Sequence, residues 1–249
     1  MVKALLLAAG KGERIQSLSH GLPKPLLHIG GKSILLHNLE LLAKYGVKDV
    51  WINLHSQADK IKAEVETQGS SSLFTHFSYE KKLLGTAGAL KKLQRYFKER
   101  VFFVLYGDNL TNIDLQNFLN KHRKSRSLAT IALYDPQTCL SSKVQGGKVR
   151  MNAQNKIVDF IEGDKVQRSV PGTRAYVNAG IYALEPEILA AIPKGFSDFG
   201  KDIFPKLLQK SASLSGYIVE GYCLAVDTPA AYARTLRVYP KTISSIDNR

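Results

Sequence analysis

Leu5 to Pro25 reads LLLAAGKGERIQSLSHGLPKP. The apolar run Ala4 to Ala9 at its head reads as a buried strand. It breaks at Gly10-Lys11-Gly12-Glu13-Arg14 and closes on Pro23-Lys24-Pro25. A strand feeding a glycine-spaced basic loop suits a polyphosphate, because glycines let backbone N–H groups approach the oxygens while cations offset their charge. Two other phosphate loops are excluded. Gly31-Lys32-Ser33 imitates the end of a G-x-x-x-x-G-K-S loop, but Leu26 stands where the first glycine belongs. Gly10-x-Gly12-x-x-Ile15 lacks the third glycine of the dinucleotide fingerprint. On its own, a plain strand-to-loop turn explains the G-x-G equally well.

Working outward, Ser33 is a natural N-cap for a helix carrying Leu35, Leu39 and Leu42 on one face, and Gly46 is placed to end it. Strands are expected at Asp49–Leu54, Leu73–Tyr79, Val101–Tyr106 and Leu128–Tyr134, with helices at Gln57–Glu66, after a small-residue turn at Leu83–Gly88 through Phe97, and after Asp114. This alternation implies an α/β fold, a Rossmann-like three-layer α/β/α arrangement around a mixed, mainly parallel sheet. From Ser141 the texture changes. Gly146-Gly147 between Lys143-Val144 and Lys148–Met151 suggests a hairpin. Strands follow at Ile157–Ile161, Ala175–Leu184, Tyr217–Val219 and Cys223–Val226. Helices are expected at Glu185–Ala191, at Asp202–Lys210 and after Asp227-Thr228-Pro229, with a frayed tail from Pro240. One domain over residues 1–249 is expected, with halves at 1–135 and 136–240 and a tail at 241–249.

Composition is that of a globular protein, 44% hydrophobic and 22% charged over 249 residues. No apolar run approaches the roughly 18 residues of a membrane span, so membrane insertion is not expected. The opening run is too short for a signal peptide and leads into GKGER, so a cytoplasmic protein is expected. Cys139 and Cys223 have no metal-ligand spacing and read as reduced thiols. The net charge of +14 calls for an anionic partner. Its lysines and arginines are scattered, however, and no groove-reading motif accompanies them, so nucleic acid is not the expected partner.

The string LAAGKGERI followed by PKP resembles the signature of the sugar-1-phosphate nucleotidyltransferases. The resemblance continues in order through LLGTAGAL (Leu83–Leu90), VLYGDNL (Val104–Leu110), VNAGIYAL (Val177–Leu184), FGKDIFPKLL (Phe199–Leu208) and AVDTPAAYAR (Ala225–Arg234). It covers nearly the whole chain. It implies a nucleoside triphosphate and a sugar 1-phosphate as partners, and Mg²⁺ as cofactor. The smaller-residue loop and the YGDNL context look most like guanylyltransferases acting on mannose or heptose 1-phosphate. Uridylyl, thymidylyl and cytidylyl relatives, phosphocholine cytidylyltransferases included, share much of the pattern. A non-catalytic ligand-sensing homologue is the alternative of another class.

The resemblance also assigns roles. Arg14 and Lys24 become the catalytic cations, the first on the leaving phosphates and the second between α-phosphate and sugar phosphate. Leu7, Ala8, Ala9, Gly10, Lys11 and Gly12, with Gly85, Thr86 and Gly88, become the nucleotide contacts. Asp108 and Asp227 become the metal pair, and Glu162, Asn178 and Lys165 the sugar-phosphate contacts. Each residue also has a plainer reading. Arg14 and Lys24 suit exposed loop cations, Asp108 a turn, and Asp227 a helix cap. Gly85 and Gly88 suit a helix start, Asn178 a buried amide satisfied by backbone, and Glu162 an exposed strand-end charge. One departure stands out: Glu162-Gly163-Asp164-Lys165 replaces the Glu-Lys pair of many relatives, so the sugar-phosphate grip depends on Lys165 reaching in from a longer loop.

Overall fold

The structure is a computed structural model that describes residues 1–10, 12–15, 21–141, 146–162 and 170–246, with side chains through residue 239. The chain opens with β1 (Lys3–Leu7) and passes through 3₁₀ turns at Glu13–Ile15 and Lys24–Leu26. It then forms the ribbon of β2 (His28–Ile29) and β3 (Lys32–Ser33). The Ser33 hydroxyl accepts from the Leu36 N–H and starts α1 (Ile34–Lys44), and Gly46, at φ +74°, ends it as expected. The units β4 (Asp49–Leu54), α2 (Ala58–Gln68), β5 (Phe74–Tyr79), α3 (Gly85–Lys92) and β6 (Phe102–Tyr106) follow. After them come β7 (Asn109–Thr111), α4 (Leu115–Ser125) and β8 (Ala129–Tyr134). The Asp114 carboxylate caps α4 by accepting from Asn117 N–H at 2.8 Å.

The second half contributes β9 (Leu140–Ser141), β10 (Lys148–Asn152), β11 (Ile157–Ile161) and the long β12 (Thr173–Leu184). It ends with α5 (Phe204–Gln209), β13 (Leu214–Ile218), β14 (Tyr222–Ala225) and α6 (Pro229–Ile246). The main sheet runs β11-β10-β12-β6-β1-β4-β5, with β8 against β12 and β13 against β8. β1 is parallel to both neighbours, Leu5 being in register with Trp51 and with Val104. β12 enters antiparallel beside β6 and makes the sheet mixed. A small sheet, β7-β14-β9, stands apart.

Apolar side chains on both faces of the sheet complete three layers. One face packs Leu6, Ile52 and Leu105 against Leu35, Leu39, Ile61 and Phe118 of α1, α2 and α4. The other packs Leu5 and Val104 against Leu90, Phe199, Phe204 and Leu207. Each such side chain contributes about 1.5–3 kcal/mol on full burial. A third cluster joins Ile15 and Ile29 to Leu224, Val226 and Tyr239, and so fastens the loop after β1 to the strand end far along the chain.

Some expectations need correction. β10 pairs β11 in a hairpin through an Asn152–Asn155 turn in which Asn155 adopts φ +59°. Lys143-Val144, the first strand of the hairpin expected around Gly146-Gly147, lies outside the described residues. The segment expected as one helix at Asp202–Lys210 is a π-turn at Phe199–Ile203 followed by α5. Pro186–Ala191 is a 3₁₀ segment. The tail does not fray at Pro240, since α6 runs on to Ile246. Among the described residues no helix is long and apolar enough to cross a membrane. Cys139 and Cys223 are free and buried, and burial raises the Cys139 thiol to about 11, which keeps it unreactive.

Candidate active site

Parallel strands leave a crevice beyond their carboxyl ends, and this sheet has one beyond β1, β4 and β6. The strand ends are tied closely. Gly107 N–H donates to the Leu7 carbonyl at 2.9 Å, and a Cβ on Gly107 would stand 2.8 Å from that same oxygen. Ala8 N–H donates to Asn53 Oδ1 at 2.8 Å, and Asn53 Nδ2 donates to Glu80 Oε1 at 2.8 Å. Leu84 N–H donates to Glu80 Oε2 at 2.9 Å. Glu80 is only 2% exposed, so its charge is affordable there because both oxygens accept hydrogen bonds. The Glu80–Asn53 chain thus positions Ala8, which lines the cleft, relative to Leu84, the neighbour of the lining residues Leu83 and Gly85.

The cleft measures about 270 Å³. It is lined by Leu7, Ala8, Ala9 and Gly10 after β1, by Leu83, Gly85 and Thr86 at the start of α3, and by Phe196. Lys24, Asp108, Tyr106 and Asp198 also line the space. Gly12 adopts φ +65°, and its carbonyl accepts from Ile15 N–H at 3.0 Å in a tight turn. A Cβ there would press on the Lys24 Cβ at 3.3 Å, so this glycine shapes the seat of Lys24.

Register brings the distant carboxylates together. β7 begins one residue after Asp108, and β14 ends two residues before Asp227. These strands run antiparallel with Ala225 opposite Asn109. Lys24 Nζ donates to Asp108 Oδ2 at 2.5 Å and also to Asp227 Oδ1. Its side chain is only 10% exposed, so the reading of Lys24 as an exposed loop cation fails. Burial pushes the Lys24 ammonium down, but the charges and hydrogen bonds of Asp108 and Asp227 outweigh it and hold the group above its ordinary value. Arg14 Nη2 lies 3.8 Å from Asp227 Oδ1 with its side chain 74% exposed, free to turn to an incoming anion. Asp227 is not the cap of α6. That part falls to Thr228, whose Oγ1 accepts from Ala231 N–H at 3.2 Å.

The donor set suits a hard divalent cation. Asp108 and Asp227 both reach one ammonium, close enough to share one ion, and both offer hard oxygens. Among the described residues no group of three or more His, Cys, Asp or Glu side chains gathers as a cage. Mg²⁺ needs none, since one or two carboxylates with phosphate oxygens and water suffice.

The remaining expected residues divide. Gly85 and Thr86 line the cleft. Gly88 does not, because its N–H is bound by the Ser197 carbonyl at 3.1 Å and a side chain there would collide with the Gly195 carbonyl. Its close neighbours are the Gly195 carbonyl and the Ser197 backbone. Asn178 is satisfied within the β12 bulge: Nδ2 donates to the Tyr182 hydroxyl at 2.8 Å, and Oδ1 accepts from Gly180 N–H at 2.9 Å. Glu162 is not an exposed strand-end charge. Among the described residues its Oε2 has no hydrogen-bond partner and lies buried against Gly147 and Gly200. Burial and Asp198 raise its carboxyl above the usual range, with Lys201 opposing. Lys11 and Lys165 lie outside the described residues.

Asn53, Glu80, Tyr106, Phe196 and Asp198 line the cleft without having been expected there. Asp198 takes the Thr86 hydroxyl on Oδ2 at 2.8 Å and caps the π-turn by accepting from Gly200 N–H at 3.0 Å. A carboxylate just before FGKD was legible as a cap, but nothing in the sequence placed it opposite Thr86.

A mainly parallel sheet flanked by helices, with a lysine and paired carboxylates at a strand-end crevice, defines an α/β protein of the doubly wound type. The chain belongs to the nucleotidyl transferase family, whose pattern matches residues 3–236. It is 34% identical over 220 residues to "UTP--glucose-1-phosphate uridylyltransferase" of Synechocystis sp., covering 83% of this chain and 55% of that protein. It is 30% identical over 251 residues to "Mannose-1-phosphate guanyltransferase" of Yarrowia lipolytica, covering 98% of this chain and 65% of that one. The chain therefore spans between about half and two thirds of the length of these relatives. The crystal structure of HddC from Yersinia pseudotuberculosis complexed with GMP-PN superimposes with a TM-score of 0.77 at 24% identity, over 96% of this chain and all of that one, and shares the fold.

Proposed function

We propose that the protein joins a nucleoside triphosphate to a sugar 1-phosphate. A phosphate oxygen of the sugar 1-phosphate attacks the α-phosphorus, a P–O bond forms, the bond to the β-phosphate oxygen breaks, and pyrophosphate leaves. The observation that carries this reading is the convergence of Lys24, Asp108 and Asp227 at the strand-end crevice. Phosphoryl chemistry of this kind depends on positioning and on charge neutralisation rather than on a covalent intermediate. Lys24 holds the α-phosphate and the sugar phosphate, and Arg14 draws the leaving phosphates. Backbone N–H groups at Gly10 and Gly12 cradle the triphosphate. Asp108 and Asp227 would hold Mg²⁺, which when bound would supply further neutralisation of the phosphate charge. Leu7, Ala8, Ala9, Gly85 and Thr86 form the nucleoside pocket, and Glu162, Asn178 and Lys165 serve the sugar side.

GTP with a mannose- or heptose-type sugar 1-phosphate is the favoured pair, supported by the motif pattern and by the 30% identical guanyltransferase relative. A uridylyl transfer to glucose 1-phosphate is the second reading, favoured by the 34% identical uridylyltransferase. A pyrophosphate-release screen of the four common triphosphates and dTTP against a panel of sugar 1-phosphates and phosphocholine decides between them. Release with GTP and mannose or heptose 1-phosphate supports the first, and release with UTP and glucose 1-phosphate the second. No release with any pair removes the enzymatic reading.

A further inference from the structure

Single exposed apolar side chains are ordinary on a protein surface. Phe196 differs from them in its setting. It is 69% exposed, yet it lines the cleft beside Leu83, Gly85 and Thr86. Its own burial does not hold it there; the backbone around it does. Ser197 N–H donates to the Leu84 carbonyl at 2.9 Å, and the Ser197 carbonyl accepts from Ala87 and Gly88 N–H at 3.0 and 3.1 Å. Ser197 itself is buried at 1% exposure. Gly85, at φ +72°, lets this clamp close, because a Cβ at that position would collide with the Ser197 carbonyl and stand 3.3 Å from the Phe196 ring. The fold thus fixes an aromatic ring against the α-carbon of Gly85 while leaving most of the ring open.

The place of the ring in the cleft tells what it can meet. Lys24 and Asp108 supply charge in the cleft, and Leu83, Gly85 and Phe196 supply apolar surface in the same space. A triphosphate held by its phosphates at Lys24 leaves its base to find such surface. A ring that stays 69% exposed while lining the cleft presents a flat π-face.

We infer that Phe196 is the base-stacking residue of the cleft, closing over the base of the bound triphosphate. The inference rests on the proposed triphosphate substrate. Stacking tolerates every base, since each has a π-face, so Phe196 sets affinity and orientation and leaves base identity to the edge contacts.

The test uses the full chain carrying Phe196→Ala or Phe196→Tyr, with inorganic tripolyphosphate as a competitor that has phosphates and no base. Phe196→Ala is expected to raise the KM for the triphosphate about tenfold, the range of one lost base–aromatic stack, with kcat falling less than threefold. Phe196→Tyr is expected to restore the KM, and tripolyphosphate is expected to inhibit all forms with the same constant. Equal weakening of tripolyphosphate would show a general distortion of the cleft and overturn the stacking role. An unchanged KM in Phe196→Ala, with an active wild-type chain, would refute the stacking alone. A wild-type chain that neither binds nor turns over any triphosphate would refute the proposed reaction and the stacking with it.

Discussion

Replacing Lys24 by Met removes the one ammonium that Asp108 and Asp227 both touch. Their facing oxygens then stand no more than about 5 Å apart with no cation between them, and at an effective dielectric of about 20 two unit charges at that distance repel by about 3 kcal/mol. Both carboxylates are mostly buried, with side-chain exposures of 27% and 19%, so solvent relieves only part of this. Lys24→Met is therefore expected to lose about 2–3 kcal/mol in urea denaturation at pH 7 in the presence of a chelator. Two conditions should return most of that loss. One is the second substitution Asp108→Asn, which removes one of the repelling charges. The other is millimolar Mg²⁺, which replaces the missing cation and stabilises the variant more than the wild-type chain. If Lys24→Met/Asp108→Asn is as unstable as the sum of its single variants, the carboxylates do not repel each other and the geometry of the site is misjudged.

Three further outcomes follow from other parts of the molecule. Burial, with Arg123 as a lesser cause, lowers the His122 imidazole from the usual 6.5 to about 4, so folding favours its neutral form. That stability is present above about pH 6.5 and is lost as pH falls toward 4, by up to about 3 kcal/mol; His122→Asn should flatten the stability profile in that window, and an unchanged slope would exclude His122 as its cause. Gly180 sits at φ +71°, and a Cβ there would stand 2.8 Å from the Tyr106 ring, so Gly180→Ala should cost about 2 kcal/mol or more by thermal denaturation; a variant as stable as wild type would count against the rigidity of the β12 bulge. Asp198→Ala uncaps the π-turn and releases the Thr86 hydroxyl, with an expected loss of about 1–2 kcal/mol and a raised KM for the triphosphate; a change in neither would exclude a cleft role for Asp198.

The local pattern of the sequence was enough to place β1, the Ser33 cap, the α1 stop at Gly46 and the boundaries of β4, because those depend on neighbours in the chain. Lys24, Asp108 and Asp227 stood out only through the resemblance, since locally a loop lysine, a turn carboxylate and a helix cap read as well. What the local pattern could not give was register. Asp108 and Asp227 meet only because Ala225 pairs with Asn109, a contact between segments far apart in the chain. Glu80 and Asn53 were invisible for the same reason: each is an ordinary polar residue until Ala8 and Leu84 are brought to it. A glycine that admits a ligand and one that admits a neighbouring carbonyl look alike in sequence, and Gly88 packs against the Gly195 carbonyl. Phe196 gave no signal at all, since its exposure is imposed by hydrogen bonds from its neighbour Ser197.

The most direct test of the central claim is pyrophosphate release by the wild-type chain and by Asp108→Asn, with Mg²⁺ and the best triphosphate and sugar 1-phosphate pair, alongside their denaturation curves. Release by the wild type is expected, with loss of at least a hundredfold in Asp108→Asn and little change in unfolding midpoint. Full activity in Asp108→Asn would contradict that claim.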